Sequence, residues 1–71
     1  MNKTIEDSRH IICTGVEQHE VLDILKEQKV QWSKQHSSIG NINTFFEDSR
    51  LRTVAIYDRI TERLVIVKEE R

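Results

Sequence analysis

Hydrophobic and polar positions are patterned most clearly near the C-terminus, in "TVAIYDRITERLVIVKEE", residues 53–70. Two apolar runs flank a polar turn, the signature of a β-hairpin. A loop of four residues, Arg59 to Glu62, sets Asp58 opposite Arg63, a charge pair at the loop mouth. Tyr57 then faces Leu64, Ile56 faces Val65, Ala55 faces Ile66 and Val54 faces Val67. The last position of such a loop favours a left-handed backbone and usually glycine, yet Glu62 stands there. One face carries Val54, Ile56, Val65 and Val67; the other carries Ala55, Tyr57, Leu64 and Ile66. Both faces are apolar, and two strands alone are barely stable in water, so each face requires a cover.

The earlier pattern is helical. "TGVE" spaces Thr14 and Glu17 as a capping box, which predicts a helix beginning near Gly15. Val21, Leu25 and Trp32 lie on one line at 100° per residue, with Leu22 and Ile24 flanking it. Acids lead in this segment (Glu17, Glu20, Asp23) and lysines follow (Lys26, Lys29, Lys34), an order that complements the helix dipole. The stretch from Thr14 to Ser38 reads as one helix, with Trp32 as a core anchor. Val30 falls off the stripe, so the helix breaks near Lys29, or Val30 is exposed, or it meets a partner. "SSIGNIN" is a loop, with Gly40 or Asn41 suited to left-handed backbone. "TFFE" repeats the capping spacing at Thr44 and Glu47 and predicts a short helix over 45–51, contributing Phe45 and Phe46 to the core. "RHIIC" (9–13) is a candidate N-terminal strand. The terminal "KEER" reads as a solvated end that blunts an edge strand. The expected fold is small α+β over a single domain, residues 1–71: one long amphipathic helix, a short helix, a C-terminal hairpin and an added N-terminal strand.

Size changes the picture. A chain of 71 residues buries only about 60% of its unfolded surface, so a lone core is marginal. Small domains gain stability from disulfides, a metal or a partner chain. The one cysteine, Cys13, has no internal partner, and a partner chain is the simplest remaining cover for the second hairpin face. The expectation is a homodimer through the hairpin or the adjoining helix. A single cysteine fits a reducing compartment, and the N-terminus lacks the apolar run of a signal peptide, so the expected location is the cytoplasm. No run approaches the ~20 apolar residues that span a membrane.

Charge is uneven: residues 1–48 carry five basic and eight acidic side chains, whereas residues 49–68 carry five basic and two acidic ones. Arg50, Arg52, Arg59 and Arg63 are therefore candidate nucleic-acid contacts. An order of helix, short helix and hairpin broadly matches a winged helix–turn–helix, in which such arginines would position the protein on DNA phosphates. Glu47 and Asp48 oppose that reading, because duplex DNA repels them. His10, Cys13 and His19 are zinc-type residues without zinc-site pairing, and His36 is distant; half-buried cysteine and surface histidines explain them, with no metal. Cys13 precedes the expected helix N-terminus, which favours a thiolate, and His10 and His19 are candidate bases, but nothing marks an oxyanion site, so a small buried cysteine is the expected reading.

No Gly-rich phosphate loop, G-x-S-x-G or paired-carboxylate spacing is present. The expected function is non-enzymatic and without a cofactor: a small regulatory or inhibitory module that binds another protein, acts as a homodimer, and uses Val54, Ile56, Val65 and Val67. A winged-helix-like DNA-binding regulator is the alternative.

Overall fold

The structure, a computed structural model, describes residues 3–6 and 9–68. Six strands form one antiparallel sheet: β1 (Lys3–Glu6), β2 (His10–Thr14), β3 (Lys34–Ser37), β4 (Asn43–Glu47), β5 (Thr53–Asp58) and β6 (Arg63–Val67). Their spatial order is β1-β2-β6-β5-β4-β3. Among the described residues, helical structure is confined to a 3-10 turn, Gln18–Glu20, running into α1, Val21–Glu27, and a second 3-10 turn at Ile39–Asn41. The fold is mostly β and corrects the expected α+β arrangement of one long helix, a short helix and a hairpin. Among the described residues no helix is long and apolar enough to cross a membrane.

The C-terminal hairpin forms in the register that its alternation dictates. Asp58 pairs with Arg63, Tyr57 with Leu64, Ile56 with Val65 and Ala55 with Ile66. Glu62 takes the left-handed conformation at φ 56°, and Asp58 Oδ1 accepts the N–H groups of Ile60 and Thr61. "RHIIC" is a strand too, paired with β6 on one side and β1 on the other. β6 is therefore central rather than an edge. Of the terminal "KEER", only Lys68 lies within the described residues.

The long helix is cut short at both ends. Gly15 turns the chain at φ 68°, so Thr14 stays in β2. The reciprocal capping contact falls three residues later, where the Glu20 carboxylate accepts the Glu17 N–H at 2.9 Å. At the other end Lys29 adopts φ 60°. Its N–H donates to the Lys26 carbonyl at 3.0 Å, and the Val30 N–H donates to the Leu25 carbonyl at 2.9 Å. This pair of bonds is a Schellman motif, and Val30 folds back onto the core that contains Leu25. The periodicity break at Val30 thus marks a helix end. Trp32 lies beyond it in a loop, 36% exposed, its ring edge-on to Phe46 with centroids 5.1 Å apart.

The expected short helix over 45–51 is instead β4. Phe45 and Phe46 are consecutive aromatics, and a strand sends them to opposite faces: Phe46 is buried and Phe45 only partly so. Bonding to β5 captures the segment, overriding a capping signal of modest weight. At Phe46/Glu47 the register shifts: Phe46 pairs with Ala55 but Glu47 with Thr53, leaving Val54 as the extra residue of a bulge.

α1 covers one sheet face. Val21 and Leu25 join Ile11, Cys13, Val16, Phe46, Ala55, Tyr57, Leu64 and Ile66 in a single buried cluster. The Tyr57 hydroxyl donates to the Val16 carbonyl at 2.6 Å, anchoring the start of the crossover to the sheet. Burial, followed by the carboxylates of Glu62, Glu17, Glu20 and Asp58, raises the Tyr57 pKa above its ordinary 10.0.

Two outcomes follow for stability. Lys29→Gly relieves a side chain held in left-handed backbone, so the urea midpoint rises by the equivalent of about 0.5–1 kcal/mol at unchanged slope. Tyr57 favours its neutral form when folded, so its contribution is complete below pH 10.0 and lost as pH rises through the raised value. Tyr57→Phe orphans the Val16 carbonyl, costing about 1–2 kcal/mol at neutral pH, and removes this alkaline loss. Absorbance at 295 nm tracks the ionisation directly, because Tyr57 is the one tyrosine.

Candidate interaction face

The second face of the sheet has no element over it among the described residues. Alternation along each strand places an apolar residue at the same level on this face in five of the six strands. Ile5 stands opposite Ile12, Ile12 opposite Val65, Val65 opposite Ile56, and Ile56 opposite Phe45. His36 ends the row opposite Phe45 on β3. With strands about 4.8 Å apart, the row runs roughly 24 Å across the whole sheet. Its residues shield one another and are partly buried in the middle, while Ile5 at one end is 50% exposed.

Polar side chains frame the row. Toward the β5–β6 turn, Asn43, Asp58 and Arg63 occupy successive cross-strand positions. On the other side stand His10, paired with the apolar Val67, and Lys34 and Glu47, which are paired. His36 stacks on Phe45, with ring centroids 5.1 Å apart, and its Nε2 lies 3.2 Å from Glu47 Oε2. Arg63 and Asp58 face each other in register, yet the Arg63 side chain makes no hydrogen bond or ion pair among the described residues. Asp58 spends Oδ1 on its own turn.

Of the four hairpin residues singled out from sequence, Ile56 and Val65 stand at the centre of this row. Val67 shares the face one step along its strand and is exposed. Val54 sits at the bulge and packs against the helix-side core. Sequence reasoning missed Ile5, Ile12, Phe45 and His36. Ile12 was legible as the outward residue of a strand already suspected, whereas Phe45 was hidden by its assignment to a helix.

The four arginines do not converge. Arg50 and Arg52 precede β5 and Arg59 and Arg63 follow its far end. Arg52 grips Asp48 through Nε at 3.2 Å and a terminal nitrogen at 2.8 Å. That bond, ahead of the Arg52 and Arg50 backbone N–H groups, holds the Asp48 carboxyl below its usual range. Arg59 donates to the Asn41 and Gly40 carbonyls at 2.9 and 3.0 Å, where Gly40 and Asn41 supply the expected left-handed turn. The segment that would read a DNA groove is strand β4, so the winged-helix layout does not form. His10, Cys13 and His19 separate as well: Cys13 is buried on the helix side, His10 points to the opposite face of β2, and His19 lies exposed in the 3-10 turn. No metal-ligating cluster occurs among the described residues.

Comparison of the chain with protein-family models, with curated proteins and with solved structures returns no match.

Proposed function

We propose that the chain is a non-enzymatic regulatory or inhibitory protein-binding module that acts as a homodimer through the uncovered sheet face. The row Ile5, Ile12, Val65, Ile56 and Phe45 carries this reading. An apolar surface that is continuous across a sheet and bordered by polar residues is the pattern of a docking site. The two longer dimensions of the molecule, 31 and 26 Å, bound a face on the order of 800 Å², about what one partner buries in a standard stable interface. Val65 and Ile56 lie at its centre, where binding energy concentrates.

Salt should have little influence on such an association, because apolar burial dominates it. Val65→Glu puts a charge at the middle of the row, on the side away from the buried core. The expected result in sedimentation equilibrium is a dimeric parent at about 100 μM and a monomeric, still folded variant, a weakening of at least 100-fold. A parent that stays monomeric at that concentration, with Val65→Glu indistinguishable from it, overturns the proposal.

A further inference from the structure

We propose that the occupant of the open face is a second copy of this chain, related by a two-fold axis that runs parallel to the strands between β5 and β6. This rests on the homodimer reading above and adds its symmetry, its register and the residues that select them. Two sheets packed face to face in the aligned class leave two directions for an in-plane two-fold axis, close to along the strands or close to across them. The polar frame of the apolar row distinguishes the two.

An axis along the strands exchanges β6 with β5, β2 with β4 and β1 with β3, since the spatial order is β1-β2-β6-β5-β4-β3. Each residue keeps its level along the strand. Val65 then meets Ile56 of the second copy, and Ile12 meets the second copy's Phe45. Ile5 meets His36. The aliphatic half of the row thus packs on its aromatic half, and bulky rings fall against smaller side chains. Arg63 meets Asp58 of the second copy, and Asp58 meets the second copy's Arg63. Within one chain these two are register partners without an ion pair, Arg63 is exposed, and Asp58 Oδ2 has no hydrogen bond among the described residues. The symmetric copy supplies both with opposite charge.

An axis across the strands instead reverses the level. Val65 meets Val65 and Ile12 meets Ile12, but Arg63 is carried toward Val67 and Asp58 toward the β5 bulge. Asn43 approaches Glu47. This arrangement desolvates charges without pairing them, which disfavours it. The first axis is the self-complementary one. Arg63 and Asp58 sit on the two central strands, so the ~30° rotation between aligned sheets displaces them least.

The test uses two full-length variants, Arg63→Glu and Asp58→Lys, each checked for a folded amide spectrum. Alone, each places like charges across the interface at two symmetric points and is expected to dimerise at least 10-fold more weakly than the parent. Mixed in equal amounts, the variants restore opposite charges at both points, and the heterodimer should form with parental affinity. No recovery on mixing overturns the proposed axis. Asp58→Lys also loses the turn contacts of Oδ1, so the unmodified protein provides a second reading. In a sample mixed from ¹³C-labelled and unlabelled chains, filtered NOEs are expected between Ile12 methyls and the Phe45 ring. These residues are three strands apart within one chain, roughly 14 Å, too far for such a contact. Filtered NOEs from Ile12 to Ile12, with a dimer that Val65→Glu still dissociates, would overturn this axis and leave the homodimer reading standing. A monomeric parent would remove both.

Discussion

The connection between β2 and β3 has to cross the sheet. β2 lies toward one edge and β3 forms the other, with β6, β5 and β4 between them. Residues 15–33 make that passage, and every other described connection is a tight turn between neighbouring strands. Only this segment is long enough to hold a helix, and it runs over one face. α1 and the residues leading into it therefore cover Ile11, Leu64, Ile66, Ala55 and Phe46. The Tyr57–Val16 bond and the Schellman end at Lys29 fix where the crossover begins and where its helix stops. Those two devices hold the one cover found among the described residues on the side where the sheet buries Phe46, Tyr57 and Leu64.

The same topology explains the other face. After the passage is spent, four-strand meandering from β3 back to β6 lays none of the described residues across the second surface. The strands nevertheless alternate two apolar sets rather than one apolar and one polar set. An antiparallel sheet that faces water on one side ordinarily reads hydrophobic-in and polar-out. Here the outward set is Ile5, Ile12, Val65, Ile56 and Phe45, and the polar residues are moved to the rows beside it. A domain of this size is short of buried surface, and a second sheet packed about 10 Å away converts a two-layer molecule into a sandwich with an added core.

Legibility of the sequence follows the range of the interactions that decide each element. The β5–β6 hairpin is legible from Asp58–Arg63 to Ala55–Ile66, because alternation and loop length act locally and agree; the expected Val54–Val67 pair is lost at the bulge, which packs Val54 against the helix-side core. β2 was visible as an apolar run. The helix was overextended because the stripe Val21, Leu25, Trp32 continues past Lys29, where a lysine occupies the left-handed position that glycine usually announces. β4 was misread because Thr44 and Glu47 imitate a capping box, while the partners that make this segment a strand, Tyr57, Ile56 and Ala55, lie about ten residues away in sequence. That one error also concealed the interaction face. With Phe45 assigned to a helix, the face of Val54, Ile56, Val65 and Val67 ended at the hairpin, and the run through Ile12 to Ile5 had no sheet to lie on.

The account rests on the claim that one apolar face is covered by α1 and the other by a second molecule. Relaxation of methyl resonances by a soluble gadolinium chelate measures that directly, at low and at high protein concentration. The helix-side methyls of Ile11, Leu25 and Leu64 should be protected at both. Those of Ile12, Ile56 and Val65 should relax strongly in dilute protein and become protected as concentration rises through the dimerisation range. Methyls of Ile12, Ile56 and Val65 that stay equally exposed at every concentration would contradict it, showing a sheet that carries its second apolar face uncovered in solution.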